Sequence, residues 1–184
     1  MHSIVHYPHP SLRRVAQPIT SISKELEIQV GEMLELMYKN EGVGLAANQI
    51  NENNRVIVMN STGDPTKPEF ECVAINPSIL EQKGWTEGQE GCLSLPGLYY
   101  NIRRAKKVKV QAYNLRGELF EMVVTDLEAR VWQHEIDHLD GKLFIDKMGT
   151  LGRKNCQNEI DELIAEYYEK QKDGLIDPHL QPIL

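Results

Sequence analysis

The chain has little cysteine, no long apolar run and no surplus of positive charge. Three cysteines in 184 residues, an odd number without paired spacing, exclude a disulfide scaffold and point to a reducing compartment. No stretch approaches the roughly 20 apolar residues that a membrane span requires, so no membrane role is expected. A formal net charge of −7 excludes indiscriminate nucleic-acid binding on charge alone. Residues 1–10 carry neither the apolar core of a signal peptide nor an Arg/Ser-rich transit pattern. Internal repeats, low-complexity tracts and interdomain linkers are missing too. What remains is 41% hydrophobic and 26% charged, ordinary for a globular protein and long enough for one substantial core. The expectation is a single cytosolic domain over residues 1–184.

Spacing of apolar residues outlines the elements. Residues 11–16 read as a short helical turn. Ser23 can cap a helix whose Leu26, Val30, Met33, Leu34 and Met37 recur at helical spacing, ending near Asn40. Residues 42–49 are small and punctuated by Gly42 and Gly44, which permits close backbone approach. Strands are predicted over residues 55–60, 71–76, 107–113 and 119–124, the last two joined as a hairpin through residues 114–117. Thr125 and Glu128 have the form of a capping box opening the next helix. That helix is apolar around most of its circumference and should be buried, with Gly141 as its stop. A last helix over residues 155–173 buries Ile160, Leu163, Ile164 and Tyr167, and a tail of residues 174–184 follows. The order of elements predicts an α+β fold: antiparallel sheets packed around a central buried helix, with a helix at each end.

The central helix carries Gln133-His134-Glu135-Ile136-Asp137-His138. Four residues of helix bring two imidazoles onto one face, where they can share a metal ion while the glutamate reaches a water bound to it. Two histidines leave room for a third protein ligand and an open position, as in catalytic sites. His179 lies in a proline-flanked tail, and Glu159, Glu162 and Glu166 lie on what reads as a surface helix. Cys92, in Glu90-Gly91-Cys92-Leu93-Ser94, would complete a Cys-His-His set, but a lone cysteine is commonly a small buried hydrophobe. Residues alone leave the third ligand open. Cys72 and Cys156 are read as such buried hydrophobes, and His2, His6, His9 and His179 as exposed. Asp137 is expected to pair with Arg104 or Arg103, and the run from Arg103 to Lys107 to face water.

Three segments in order, Gly42-Val43-Gly44-Leu45-Ala46-Ala47-Asn48-Gln49, then Glu90-Gly91-Cys92-Leu93-Ser94, then Gln133-His134-Glu135-Ile136-Asp137-His138, resemble the motifs of the peptide deformylases. The likeness extends from about Pro8 to Phe144. It implies removal of the N-terminal formyl group from formyl-methionine of nascent polypeptides, releasing formate. It implies ferrous iron held by Cys92, His134 and His138, with zinc or nickel entering purified protein readily. Ligand chemistry alone would favour zinc. By the same resemblance Glu135 is the general base, while the Gln49 side-chain amide and the Leu93 backbone N–H stabilise the oxyanion.

A methionine-specific pocket needs apolar walls, for which Leu127, Val131 and His134 offer one face and Val43 the other. Gly44 lets the backbone approach substrate. Where many relatives place an arginine near the substrate chain, this sequence has Tyr99 and Tyr100. The last helix is acidic, through Glu159, Asp161, Glu162, Glu166, Glu169 and Asp173, which opposes docking onto ribosomal RNA. Two other functions share some of these features. A metalloendopeptidase would use the same H-E-x-x-H string, and a non-catalytic metal-binding module would use the same ligands. The first gains nothing from the Cys92 segment, and the second would close its coordination sphere with a fourth protein ligand. A bacterial cytosol is the expected home; no oligomeric state is legible.

Overall fold

The computed structural model describes residues 2–184. Helix α1 (Lys24–Lys39) begins where expected, because the Ser23 hydroxyl accepts from the Leu26 N–H at 3.3 Å. Its Leu26, Val30, Met33 and Met37 are buried against β1 (Gly44–Ala46) and β2 (Val56–Asn60). Between the two strands a short 3₁₀ turn, Ala47–Ile50, reverses the chain. Strands β3 (Glu71–Cys92), β4 (Leu95–Tyr113) and β5 (Leu119–Thr125) complete one antiparallel sheet in the order β1-β2-β3-β4-β5. This is an α+β fold with four helices, as the pattern of elements predicts.

The sheet departs from the sequence expectation in length. The strand predicted over residues 71–76 continues to Cys92, and its partner begins at Leu95 instead of residue 107. Residues 77–92 hide this because they are largely polar and carry Gly84, Gly88 and Gly91, which read as turn signals. Register shifts at Ile75/Ser78, Ile79/Glu81 and Glu90/Cys92 further break the alternation that marks a strand. Cys92 pairs with Leu95 where this long hairpin turns back. The β4–β5 hairpin turns at residues 114–117 as expected.

Helix α2 (Asp126–Leu139) packs on β1, β2, β4 and β5, with Ala129, Trp132, Ile136 and Leu139 in the main apolar cluster. Its expected capping box is not formed: Thr125 makes no side-chain cap bond, and Asp126 has φ +55°. The helix stops before Gly141, whose φ is +70° and whose position would bring a Cβ to 2.5 Å from the Arg13 carbonyl oxygen. The last helix expected over residues 155–173 is α4 (Gln157–Lys172), and a short helix that the sequence pattern did not predict, α3 (Thr150–Asn155), precedes it across Cys156. Ile160, Leu163 and Tyr167 of α4 are buried, and Ile164 is half-buried. No helix among the described residues is long and apolar enough to cross a membrane.

Candidate functional site

The long β3–β4 hairpin delivers Cys92 to the face of α2 that carries His134 and His138. The ligand-capable atoms of these three residues lie within 4.8 Å of one another. The Cys92 Sγ is 3.2 Å from the His138 Nε2. Two donors bonded to one tetrahedral ion at about 2.0–2.3 Å sit close to that separation, so the set fits a metal. The two imidazole centroids are 4.9 Å apart, as expected of residues one helical turn apart. His179 and the carboxylates of α4 take no part in this cluster.

Glu90 received no role from the sequence, and the structure gives it a demanding one. The His134 Nδ1–H donates to the Glu90 Oε2 at 3.0 Å. A carboxylate only accepts, so this bond fixes the tautomer and leaves Nε2 as the nitrogen available to a metal. Glu90 is 5% exposed and also binds Arg104 through both oxygens, at 2.8 and 2.9 Å, and Arg130 at 2.7 Å. Arg104 in turn reaches Asp137, the pairing that the sequence suggested, and Asp137 meets Lys147 at 3.1 Å. Arg104 is therefore buried, unlike Arg103, Lys106 and Lys107, which face water as expected of that run. Burial alone would raise the Glu90 carboxyl, but its bonds to Arg104 and His134 hold it well below the usual carboxylate range.

Glu135 is 4% exposed, and its Oε2 has no protein partner among the described residues. Burial pushes this carboxyl up to about 7, with the nearby His134 partly opposing. A Cβ placed on Gly44 would fall 2.5 Å from the Glu135 Oε1, so only glycine lets β1 lie against this carboxylate. Burial lowers the His134 ring, but its bonds to Cys92 and Glu90 outweigh it and the net shift is well upward. Burial, with the neighbouring His134 and Arg104 charges, drives His138 well below the usual imidazole range.

One cavity of about 580 Å³ gathers nearly every residue singled out from sequence. Val43, Gly44, Gln49, Cys92, Leu93, Tyr99, Leu127, Val131, His134 and Glu135 line it, and the buried His138 does not. Gln49 is 1% exposed, and its Nε2 donates to the Ser94 Oγ at 3.2 Å and points toward the Cys92 Sγ at 3.5 Å. Its Oε1 accepts from the Ala46 N–H at 2.8 Å, which orients the amide. Leu127 is 56% exposed and Tyr99 61%, both at the rim, whereas Val131 is buried.

Two expectations about histidines are corrected. His9 is buried, with its Nδ1 beside the Ser11 Oγ, and His6 lines the cavity. Their tyrosine- and proline-rich surroundings gave no periodic pattern from which burial could be read. Arg130, also a cavity residue, escaped notice because its charge suggested a solvated position.

Known proteins were compared with this arrangement in sequence and in fold. A peptide deformylase of Rhodopirellula baltica is 43% identical over 174 residues, covering 95% of this chain and 86% of its own. One from Alkalilimnicola ehrlichii is 40% identical over 163 residues, covering 89% and 90%. A crystal structure of the Plasmodium falciparum peptide deformylase superposes with a TM-score of 0.87 at 38% identity, covering 91% of this chain and 98% of that one. A plant peptide deformylase superposes with a TM-score of 0.89 at 37% identity, covering 93% of each chain. The family model described as polypeptide deformylase matches residues 1–154, and the chain belongs to that family.

Proposed function

We propose that this chain is a metal-dependent hydrolase that removes the N-terminal formyl group from nascent polypeptides. The observation that carries the reading is the convergence of Cys92, His134 and His138 beside Glu135, at a cavity that residues of all three motif segments line. Family membership disfavours the endopeptidase and the passive metal-binding module.

Cys92, His134 and His138 would hold a divalent ion, which would supply Lewis-acid activation of a water molecule and of the formyl carbonyl. Iron in the ferrous state is the proposed working metal, with zinc or nickel able to take the same ligands. Glu135, whose buried carboxylate is not committed to a protein hydrogen bond at Oε2, takes the water's proton and returns it to the leaving amine. The Gln49 amide, oriented by Ala46, and the Leu93 N–H donate to the oxygen that gains negative charge. Losing one such donor costs about 2.7–4 kcal/mol in the barrier. Val43, Leu127, Val131 and the His134 ring form the pocket for methionine, Gly44 admits the peptide backbone, and Tyr99 meets the chain beyond. Helix α2 serves as the central element of one catalytic domain formed by the whole chain. A bacterial cytosol, where formylated chains emerge, is the proposed setting, and the acidic surface of α4 is proposed to play no part in ribosome docking.

The test is formate release from formyl-Met-Ala-Ser and from acetyl-Met-Ala-Ser by iron-loaded protein. The reading expects turnover of the first and not of the second. Cleavage within either peptide, without formate, would overturn it.

A further inference from the structure

Residues 4–9 cross the site as a strap. The Val5 N–H donates to the Gln49 carbonyl at 2.8 Å, and the Tyr7 N–H donates to the Ser94 carbonyl at 2.8 Å. Gln49 bears one of the two proposed oxyanion donors, and Ser94 directly follows Leu93, which bears the other. Two backbone bonds from one short segment thus link both donor loops, and His6, between the two bonding residues, lines the cavity.

The strap is held from behind by chain that lies beyond the family match at residue 154. The Ile183 N–H donates to the Pro8 carbonyl at 3.1 Å, and the Lys170 Nζ stands 3.5 Å from the His6 Nδ1. The segment bearing Ile183 is folded back onto α4 through the Leu180 carbonyl. That oxygen accepts from the Tyr167 hydroxyl at 3.1 Å and the Gln171 Nε2 at 2.8 Å. A second bond runs from the Gln171 Nε2 to the Asp177 carbonyl at 3.1 Å. Tyr167 is itself 2% exposed, so the anchor is part of the packed interior.

We propose that residues 157–184 clamp the strap of residues 4–9, and that the clamped strap positions the Gln49 and Leu93 donors for the reaction. Val5, Tyr7 and Ile183 are positioning residues, acting through their backbone N–H groups. The inference rests on the deformylase reading of this same site. Oxyanion donors work only when held in place before charge develops, and a misplacement of about 1 Å can cost about a hundredfold in rate. A strap bonded to both donor loops is suited to that task, and it loosens if its own rear contact is lost.

The decisive variants are full-length. Ile183→Pro removes the N–H that reaches Pro8 and sits at a residue 48% exposed, so the core is untouched. Ile183→Ala keeps the N–H. Gln171→Ala with Tyr167→Phe frees the Leu180 carbonyl while retaining the aromatic packing. Amide exchange at Val5 and Tyr7 is read together with kcat and KM for formyl-Met-Ala-Ser. For Ile183→Pro and the double variant, exchange at both amides should quicken by about tenfold. Their kcat should fall about three- to tenfold, with KM within about twofold of wild type. Ile183→Ala should match wild type in both readouts. Unchanged exchange in Ile183→Pro overturns the clamp, and faster exchange with unchanged kcat overturns the positioning role. An equal loss in Ile183→Ala would assign the effect to side-chain packing and overturn it as well. The exchange readout needs no substrate, so a wild-type chain that released no formate would contradict the deformylase reading separately.

Discussion

His134 and His138 stand one turn apart on α2, belong to one motif, and have opposite surroundings. His134 is oriented by a carboxylate that is itself held by two arginines. His138 is 1% exposed, and its Nδ1 has no protein partner among the described residues. The far nitrogen of one ring is fixed by an ion-paired carboxylate, and that of the other has no protein group to fix it. The difference shows that a ligand pattern in sequence specifies which atoms meet, while the neighbours decide how each ligand is held and how basic it is.

The contrast can be broken most severely between the two rings. Glu135→Ala should retain metal yet lower kcat by about 10²–10⁴-fold, since it removes the proton carrier and neither ligand. Steady-state formate release beside metal analysis checks this; a variant with wild-type kcat would remove Glu135 from the proton transfer. Next comes the ion-pair side. Arg104→Met removes a partner from the buried Glu90 carboxylate and the half-buried Asp137 carboxylate and should destabilise the fold by about 3–5 kcal/mol, read from urea unfolding. A change under about 1 kcal/mol would show that Arg130 and Lys147 suffice to compensate them.

Glu90→Gln sharpens the comparison without emptying the space. The amide can still occupy the site but no longer offers the charge that holds His134, so metal affinity should fall about 10–100-fold. Competition with a chelator measures it. Affinity equal to wild type would mean that both rings are held by packing, and the asymmetry would carry no energy.

A surface histidine supplies the mildest case. His2 pairs with Glu32 at 2.5 Å and Glu52 at 3.0 Å, and its hydrogen bonds, to Glu52 first and then Glu32, raise its pKa above the ordinary 6.5. Glu25 lines the same cleft. Because the folded value is the higher one, the stabilisation is fully present below pH 6.5 and disappears as pH rises through the raised value. Thermal midpoints of wild type and His2→Ala should therefore differ most near pH 6 and converge in alkali. The gap should be small at every pH, because the ring is partly solvated. A gap that widened with pH would reverse the sign of this linkage.

How much could be read beforehand follows from the same contrast. His134 and His138 were legible from their spacing, Cys92 only through the resemblance of three motifs to a known family, and α1 was legible because Ser23 and the apolar positions from Leu26 to Met37 agree locally. The reach of β3 to Cys92 was not, since bulges and glycines erase alternation in a strand made regular only by its partner. Helix α3 was not legible because its six residues, Thr150–Asn155, are too few and too polar to show an apolar period. Glu90, Arg104 and Arg130 looked solvated one at a time; only together with Asp137 do they form a charge-balanced network. His6 and the strap depend on contacts between residues at opposite ends of the chain, which no local pattern encodes.

X-ray absorption at the edge of the bound metal tests the central claim most directly. The account expects one sulfur at about 2.3 Å and two imidazole nitrogens at about 2.0–2.1 Å, with the sulfur shell lost in Cys92→Ala. A wild-type spectrum with no sulfur scattering, or one that Cys92→Ala leaves unchanged, would contradict it.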